Sequence, residues 1–271
     1  MTTDSIQFGV IGGGVMAEAI ISRLLQQEIY SPSKILVSEP QLQRREFWQE
    51  KYQVAVTKDN NEAVAAQEVI LLAIKPQILD AVTKQLTLSA QPKNSPLIIS
   101  ILAGVSLSRL ESALPGYSVV RVMPNTPATV GEGMSAIAIG SNVSNAQLQK
   151  AQQIFTAVGQ VVEVSEYLMD AVTGLSGSGP AYIALMVESL ADGGVAAGLP
   201  RAIAQKLAIQ TVLGTATLLR ESGLHPAELK DRVSSPGGTT IAGVTALEKG
   251  GFRSAVIEAV KAATQRSQEL K

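Results

Sequence analysis

The sequence predicts two domains of different class: an α/β Rossmann domain with a doubly wound, mainly parallel sheet, then an all-α helical domain. Three observations carry this. Short runs of Val, Ile and Leu alternate with amphipathic stretches from residue 6 to about residue 140. A glycine-rich turn joins the first run to the first amphipathic stretch. After about Glu163 the strand-like runs stop, and Ala- and Leu-rich helical patterns take over.

The apolar runs are Ile6–Ile11, Ile35–Val37, Val69–Ile74, Leu97–Ile101, Val119–Val122 and Ala136–Ile139. Several are continuous rather than alternating, as expected of parallel strands covered on both faces. Helical stretches such as Ala17–Gln27 and Gln41–Lys51 lie between them, which is the βαβ pattern of a doubly wound sheet. In the second half, Ala181–Ala197 stops at Gly198-Leu199-Pro200, where glycine ends one helix and proline opens the next. Ala202–Leu219 follows and closes near Gly223, and Phe252–Leu270 reads as a final helix. These helices carry small residues on more than one face and are expected to be covered on more than one side. We therefore read residues 1–163 as the α/β domain and residues 164–271 as a helical domain that dimerises through its helices.

Composition narrows the function. Net charge is −1, which favours neither nucleic acid nor an anionic membrane as a partner. Charged residues make up 17% of the chain, below the roughly 25% typical of soluble proteins, so part of the surface is expected to lie in a subunit interface. There is no cysteine, which excludes disulfides, thiolate metal sites and cysteine nucleophiles. The single histidine, His225, leaves no multi-histidine metal site, and no metal is expected. The start, Met1-Thr2-Thr3-Asp4-Ser5, lacks the layout of a signal peptide, and no apolar run approaches ~20 residues, so the expectation is a cytoplasmic protein.

The turn Gly9-Val10-Ile11-Gly12-Gly13-Gly14-Val15-Met16-Ala17 contains G-x-G-x-x-A. Gly12 makes the tight turn, Gly14 lets the backbone approach a pyrophosphate, and Ala17 keeps the helix close to the strand. The helix N-terminus then offers free N–H groups to the phosphates. The second strand ends at Val37-Ser38-Glu39, near the spacing at which an acidic residue meets the ribose of NAD. Glu39 favours NAD(H) there, whereas Ser38, Arg44 and Arg45 suit the extra phosphate of NADP(H). The sequence leaves both cofactors open.

Three further motifs are dense in chemistry. Ala73-Ile74-Lys75-Pro76-Gln77 and Arg121-Val122-Met123-Pro124-Asn125-Thr126-Pro127 end strands at the carboxyl edge of the sheet, where open α/β sheets bind ligands. Val233-Ser234-Ser235-Pro236-Gly237-Gly238-Thr239-Thr240 leads into a helix. Its glycines let backbone N–H groups converge, Thr239 or Thr240 could cap the helix, and such an entrance suits a carboxylate.

Together these segments resemble pyrroline-5-carboxylate reductase along nearly the whole chain. The resemblance runs through Ile11–Ala17, Ala73–Gln77, Met123–Pro127, Asp170–Tyr182, His225–Thr240 and Gly251-Phe252-Arg253, and the segment ending at Thr240 is the most specific. It implies reduction of L-1-pyrroline-5-carboxylate to L-proline by NAD(P)H, in a homodimer often assembled into a decamer. Around the cofactor it implies Ile11, Gly12, Gly14, Val15, Met16, Ala17, Ser38, Glu39, Asn60, Ala73, Lys75, Pro76, Ala103 and Asn125. In the substrate pocket it implies Glu166, Thr173, Ser178, Ser235, Gly237, Gly238, Thr239 and Thr240, with Thr240 near the ring nitrogen as the catalytic residue. Two departures stand out: Val15 replaces a residue that is often polar in the family, and Glu39 replaces a common serine or threonine.

The chemistry fits this inventory. Hydride adds more readily to a protonated C=N bond, and a hydroxyl such as Thr240 suffices to hold that nitrogen. Catalysis then rests mainly on placing the nicotinamide against the imine carbon and excluding water. Other readings are weaker. His225, before Pro226, reads as a helix cap or packing residue rather than a proton carrier. Tyr30-Ser31-Pro32-Ser33-Lys34 imitates a Tyr-x-x-x-Lys pair but contains proline and precedes the second strand. Ser178 has no base partner for nucleophilic attack. Lys75 reads as cofactor-side structure ahead of general acid. A β-hydroxyacid dehydrogenase would place a lysine on the first helix of its second domain, yet no lysine occurs between Lys150 and Lys206. A non-catalytic nicotinamide-binding regulator would have no need of Ser235–Thr240.

Overall fold

The computed structural model describes residues 6–87 and 96–270. Eight strands form one sheet in the order β3-β2-β1-β4-β5-β6-β7-β8. They are β1 (Phe8–Ile11), β2 (Ile35–Ser38), β3 (Ala55–Thr57), β4 (Val69–Leu72), β5 (Leu97–Ser100), β6 (Val119–Met123), β7 (Gly133–Ile139) and β8 (Gly159–Glu163). All neighbours pair in parallel except β6 with β7.

Strand periodicity explains why the central runs are apolar throughout. Successive side chains point to opposite faces of a sheet. Val10, Val37, Val69, Leu71, Ile99 and Val120 join one core cluster. Their neighbours Ile11, Ile70, Leu72, Ile98 and Val119 join the other. Helices α1 (Val15–Gln26) and α2 (Leu42–Tyr52) cover the first face, burying Ile20, Leu24 and Trp48. Helix α3 (Asn60–Val64) contributes Ala63 and Val64 to the second.

Two strands were not among the expected runs. β3 and β8 are the sheet's two edges, and their residues are mostly half-buried or exposed. An edge strand has less apolar cover to satisfy, so it leaves a weaker hydrophobic signal.

The described residues through Gly177, with those from Ala263 onward, form one compact unit, and Ser178–Ala262 form a second. The change from strands to helices comes earlier, at the end of β8. The last turns of the final helix, Phe252–Glu269, belong to the first unit, where the buried Ser267 hydroxyl donates to Asp170 Oδ1 at 2.9 Å.

The second unit is helical: Gly179–Ala196, Arg201–Ser222, Pro226–Arg232, Thr239–Lys249 and the start of Phe252–Glu269. Its breaks follow the expected rules. Gly198 and Gly223 both adopt positive φ where helices end. Only Ala191, Ala204 and Ala208 form a buried apolar cluster there, with Val187 and Val195 packed against it. Leu185, Leu207 and Leu213 stay exposed in the single chain. Among the described residues one helix, Arg201–Ser222, is long and apolar enough by length and composition to cross a membrane, with a mean hydropathy of 1.2. That apolarity was not seen in the sequence, because polar residues punctuate the helix along its length.

Candidate functional site

The carboxyl ends of β1, β2 and β4 converge on the glycine-rich turn. Gly12 donates to Ser38 O at 2.9 Å, and Ala73 donates to Ile11 O at 2.9 Å, so the turn is stitched to both neighbouring strands. Gly12 adopts φ 99°, and a Cβ there would lie 2.7 Å from Ala73 O. Glycine is required on both counts. A Cβ on Gly14, by contrast, would meet nothing within 4 Å. Gly14 is the N-cap of α1 and no side chain caps the helix. Val15 is exposed, Met16 half-buried, and Ala17 fully buried against the core.

This geometry fits a dinucleotide. The uncapped N-terminus of a twelve-residue helix opens onto a cradle with room for phosphate oxygens, and its N–H groups and dipole supply the attraction. Ile11, Gly12, Gly14, Val15, Met16 and Ala17 are the residues that would hold a pyrophosphate here. The Ser38 hydroxyl donates to Asn60 Oδ1 at 2.7 Å, so both expected residues sit together beside the turn.

Gly13, which carried no role in the sequence reading, is the most heavily held residue of the loop. Its N–H donates to Glu39 Oε2 at 2.9 Å. Its carbonyl accepts from Arg44 Nε and Nη2 at 3.0 and 2.7 Å and from Trp48 Nε1 at 3.1 Å. Glu39 Oε1 also accepts from the Gln41 N–H at 3.0 Å. Arg44 reaches Glu18 as well, and Arg45 Nη1 donates to the carbonyls of Glu39 and Pro40. The two arginines are thus tied to backbone carbonyls. Burial of Glu18 opposes ionisation, but hydrogen bonds from Lys51, Arg44 and Tyr52 outweigh it and hold the carboxyl below its ordinary value.

The remaining expected cofactor residues follow strands at the same edge. Ala73 succeeds β4, and Lys75 is the N-cap of the short 3-10 turn Pro76–Ile78, with Pro76 at its first position. Lys75 is exposed. Ala103 follows β5 and is half-buried. Asn125 follows β6, and its amide is engaged at both ends: Nδ2 donates to Ser176 O at 3.1 Å and Oδ1 accepts from Met134 N at 2.8 Å. Its side chain therefore ties β7 to the turn at Ser176.

Glu166 begins a 3-10 turn and accepts from the Leu107 N–H at 3.0 Å and Arg121 Nη1 at 2.7 Å, both on Oε1. Arg121, on β6, is almost fully buried, whereas the Glu166 side chain keeps about a third of its surface. Arg121 Nη2 and Glu166 Oε2 are buried without a hydrogen-bond partner among the described residues. An arginine inside a sheet core is the signal sequence reading passed over: it lay in view within Arg121–Pro127. Thr173 opens a π-helical turn, Thr173–Gly177, and its hydroxyl donates to Met169 O at 2.8 Å. Turns of this kind concentrate at functional sites.

In the second unit, Ser178 precedes helix Gly179–Ala196 and does not cap it with its side chain. His225 does cap a helix: Nδ1 accepts from the Ala227 N–H at 3.2 Å. Ser235, Pro236 and Gly237 are exposed, Gly237 adopts φ 65°, and Gly238 donates to Ser235 O at 3.0 Å. Gly238, not Thr239 or Thr240, is the N-cap of Thr239–Lys249, and no side chain caps that helix. The expected threonine cap is corrected here. The threonines occupy the first helical turn, where their hydroxyls have no hydrogen-bond partner among the described residues.

Comparison with known proteins agrees with these two halves. Residues 166–270 match the family model for pyrroline-5-carboxylate reductase dimerisation, and residues 7–104 match that for coenzyme F420-dependent NADP oxidoreductase. A pyrroline-5-carboxylate reductase from Synechocystis sp. is 64% identical over 266 residues, covering 98% of each chain. A solved pyrroline-5-carboxylate reductase from Coxiella burnetii is 36% identical with a TM-score of 0.88, covering 99% of each chain. The Plasmodium falciparum pyrroline carboxylate reductase, solved with NADP bound, is 32% identical with a TM-score of 0.85 and again covers 99% of each.

Proposed function

The chain belongs to the pyrroline-5-carboxylate reductase family, and on that premise we propose that it reduces L-1-pyrroline-5-carboxylate to L-proline by hydride transfer from NAD(P)H, the last step of proline biosynthesis. The observation that carries this reading is the loop Ser235–Thr240, which lies inside the matched segment 166–270 and opens a helix that no side chain caps.

When bound, the reduced nicotinamide supplies a hydride to the imine carbon. The C=N π electrons pass to the ring nitrogen, which keeps a proton and becomes the secondary amine of proline. Thr240 holds that nitrogen through its hydroxyl and is the catalytic residue in this reading. Ser235, Gly237, Gly238 and Thr239 receive the substrate carboxylate, because the backbone N–H groups of a helix start favour an anion. Glu166, Thr173 and Ser178 are the other residues to which this reading gives a substrate-binding role, and within the first unit Arg121 fixes the Glu166 carboxylate. Ile11, Gly12, Gly14, Val15, Met16 and Ala17 would hold the pyrophosphate, Ser38, Glu39 and Asn60 the adenosine ribose, and Ala73, Lys75, Pro76, Ala103 and Asn125 would border the rest of the cofactor. No acid stronger than a hydroxyl is needed, since the imine is basic enough to arrive protonated.

The match to a dimerisation family supports self-association. We assign a homodimer, with a decamer as the higher assembly, in the cytoplasm. The direct test is NAD(P)H oxidation on addition of pyrroline-5-carboxylate, with proline measured as product. Substrate-dependent oxidation with matching proline is the expected result. No oxidation with either cofactor would overturn the reading.

A further inference from the structure

Two charged elements at the end of β2 bear on which nicotinamide this chain takes. Glu39 retains 8% of its surface, and each carboxylate oxygen accepts one backbone N–H, from Gly13 or Gln41. Each oxygen keeps a further lone pair. The bond to Gly13 fixes the carboxylate against the middle of the glycine-rich turn, so its negative charge stands beside the crevice at the carboxyl edge of the sheet. A carboxylate at this position accepts from ribose hydroxyls, and it repels a phosphate carried on the same ribose.

The neighbouring cations are partly engaged by the turn itself. Arg44 donates twice to Gly13 O and once to Glu18, so it holds α2 both to the loop and to α1. Arg45 donates to the Glu39 and Pro40 carbonyls. Arg44 keeps only Nη1, and Arg45 Nε and Nη2, outside these bonds, so both guanidiniums are anchored to the turn and offset the Glu39 charge only in part. Trp48, bonded to the same Gly13 carbonyl and fully buried, reinforces that shape.

We propose that Glu39, locked to Gly13 and flanked by two arginines already committed to backbone carbonyls, makes NADH the preferred cofactor of this chain. The proposal deepens the reductase reading and rests on it only for the identity of the reaction.

Trp48 is the chain's only tryptophan and sits under the loop, so it provides a direct binding signal. Reduced nicotinamide absorbs where tryptophan emits, and titrating the substrate-free protein with NADH and with NADPH gives both dissociation constants without turnover. Wild type is expected to bind NADH at least about tenfold more tightly, a ratio that one unfavourable charge contact readily supplies. Glu39→Gln keeps the side chain's size and removes its charge, and should move the ratio toward NADPH by about tenfold. Glu39→Ser should move it the same way. Tighter NADPH binding by wild type, or an unchanged ratio in a folded variant, would overturn the proposal. If neither variant folds, the wild-type ratio alone decides. A chain that shows this preference but does not reduce pyrroline-5-carboxylate would refute the reaction and leave the cofactor assignment standing.

Discussion

The two units solve the problem of apolar surface in opposite ways. In the first, strand residues alternate between two clusters, and helices close both faces, so Ile20, Trp48 and Phe155 are fully buried within one chain. In the second, three alanines are the only fully buried apolar residues of a small cluster, while Leu185, Leu207 and Leu213 are more than half exposed. Apolar area on that scale is seldom left open to water. The difference teaches that the first unit completes its core alone, whereas the second needs a further copy of the chain, as its dimerisation-family match also indicates.

The sharpest way to break that comparison is to truncate one side chain in each unit. Phe155→Ala should cost about 3–5 kcal/mol at any protein concentration, because it empties a site filled from within the chain. Leu213→Ala should cost no more than about 0.5 kcal/mol in a dissociated chain. In the assembled protein its cost should rise with protein concentration. Denaturant melts at two concentrations check both, and identical costs for Leu213→Ala would erase the contrast.

The buried ion pair gives the next effect. Glu166→Ala would leave Arg121 buried and unpaired, at a cost approaching about 3 kcal/mol. Glu166→Gln, which keeps an acceptor, should cost clearly less; equal melting temperatures for the two variants would remove the pair from the account.

Thr240→Ala comes third. Losing a hydrogen bond to a charged nitrogen is worth about 1.5–3 kcal/mol, so turnover should fall by roughly ten- to a hundredfold. NADH affinity should stay as it was. Unchanged kinetics at saturating substrate would take the imine nitrogen away from Thr240.

The smallest effect is at Glu18. Its folded value lies below the ordinary 4.5, so it contributes stability above that value and loses it as pH falls through the folded one. Glu18→Gln should flatten the acid limb of stability below about pH 4.5 by less than about 1 kcal/mol, since the site is partly exposed. An acid limb as steep as wild type would place the linkage elsewhere.

Much of this was legible in the sequence where a local rule had one outcome. The central strands, the turn at Gly12 and the helix ends at Gly198 and Gly223 each follow from periodicity or from φ that only glycine takes cheaply. So does His225 as a cap, since it stands directly before a proline. What escaped depends on partners distant in sequence. Gly13 is defined by Glu39, Arg44 and Trp48, and Arg121 by Glu166, forty-five residues away. The amide of Asn125 joins two pieces of the first unit, a contact that no local pattern announces. Thr239 and Thr240 stand one and two positions too late to cap.

The contrast between a self-sufficient unit and one completed by a copy is tested most directly by the mass in solution. Light scattering on the purified protein should give at least twice the chain's 28.4 kDa, and substituting Leu207 and Leu213 by glutamate should lower it. A mass of 28.4 kDa at every concentration measured would contradict the account.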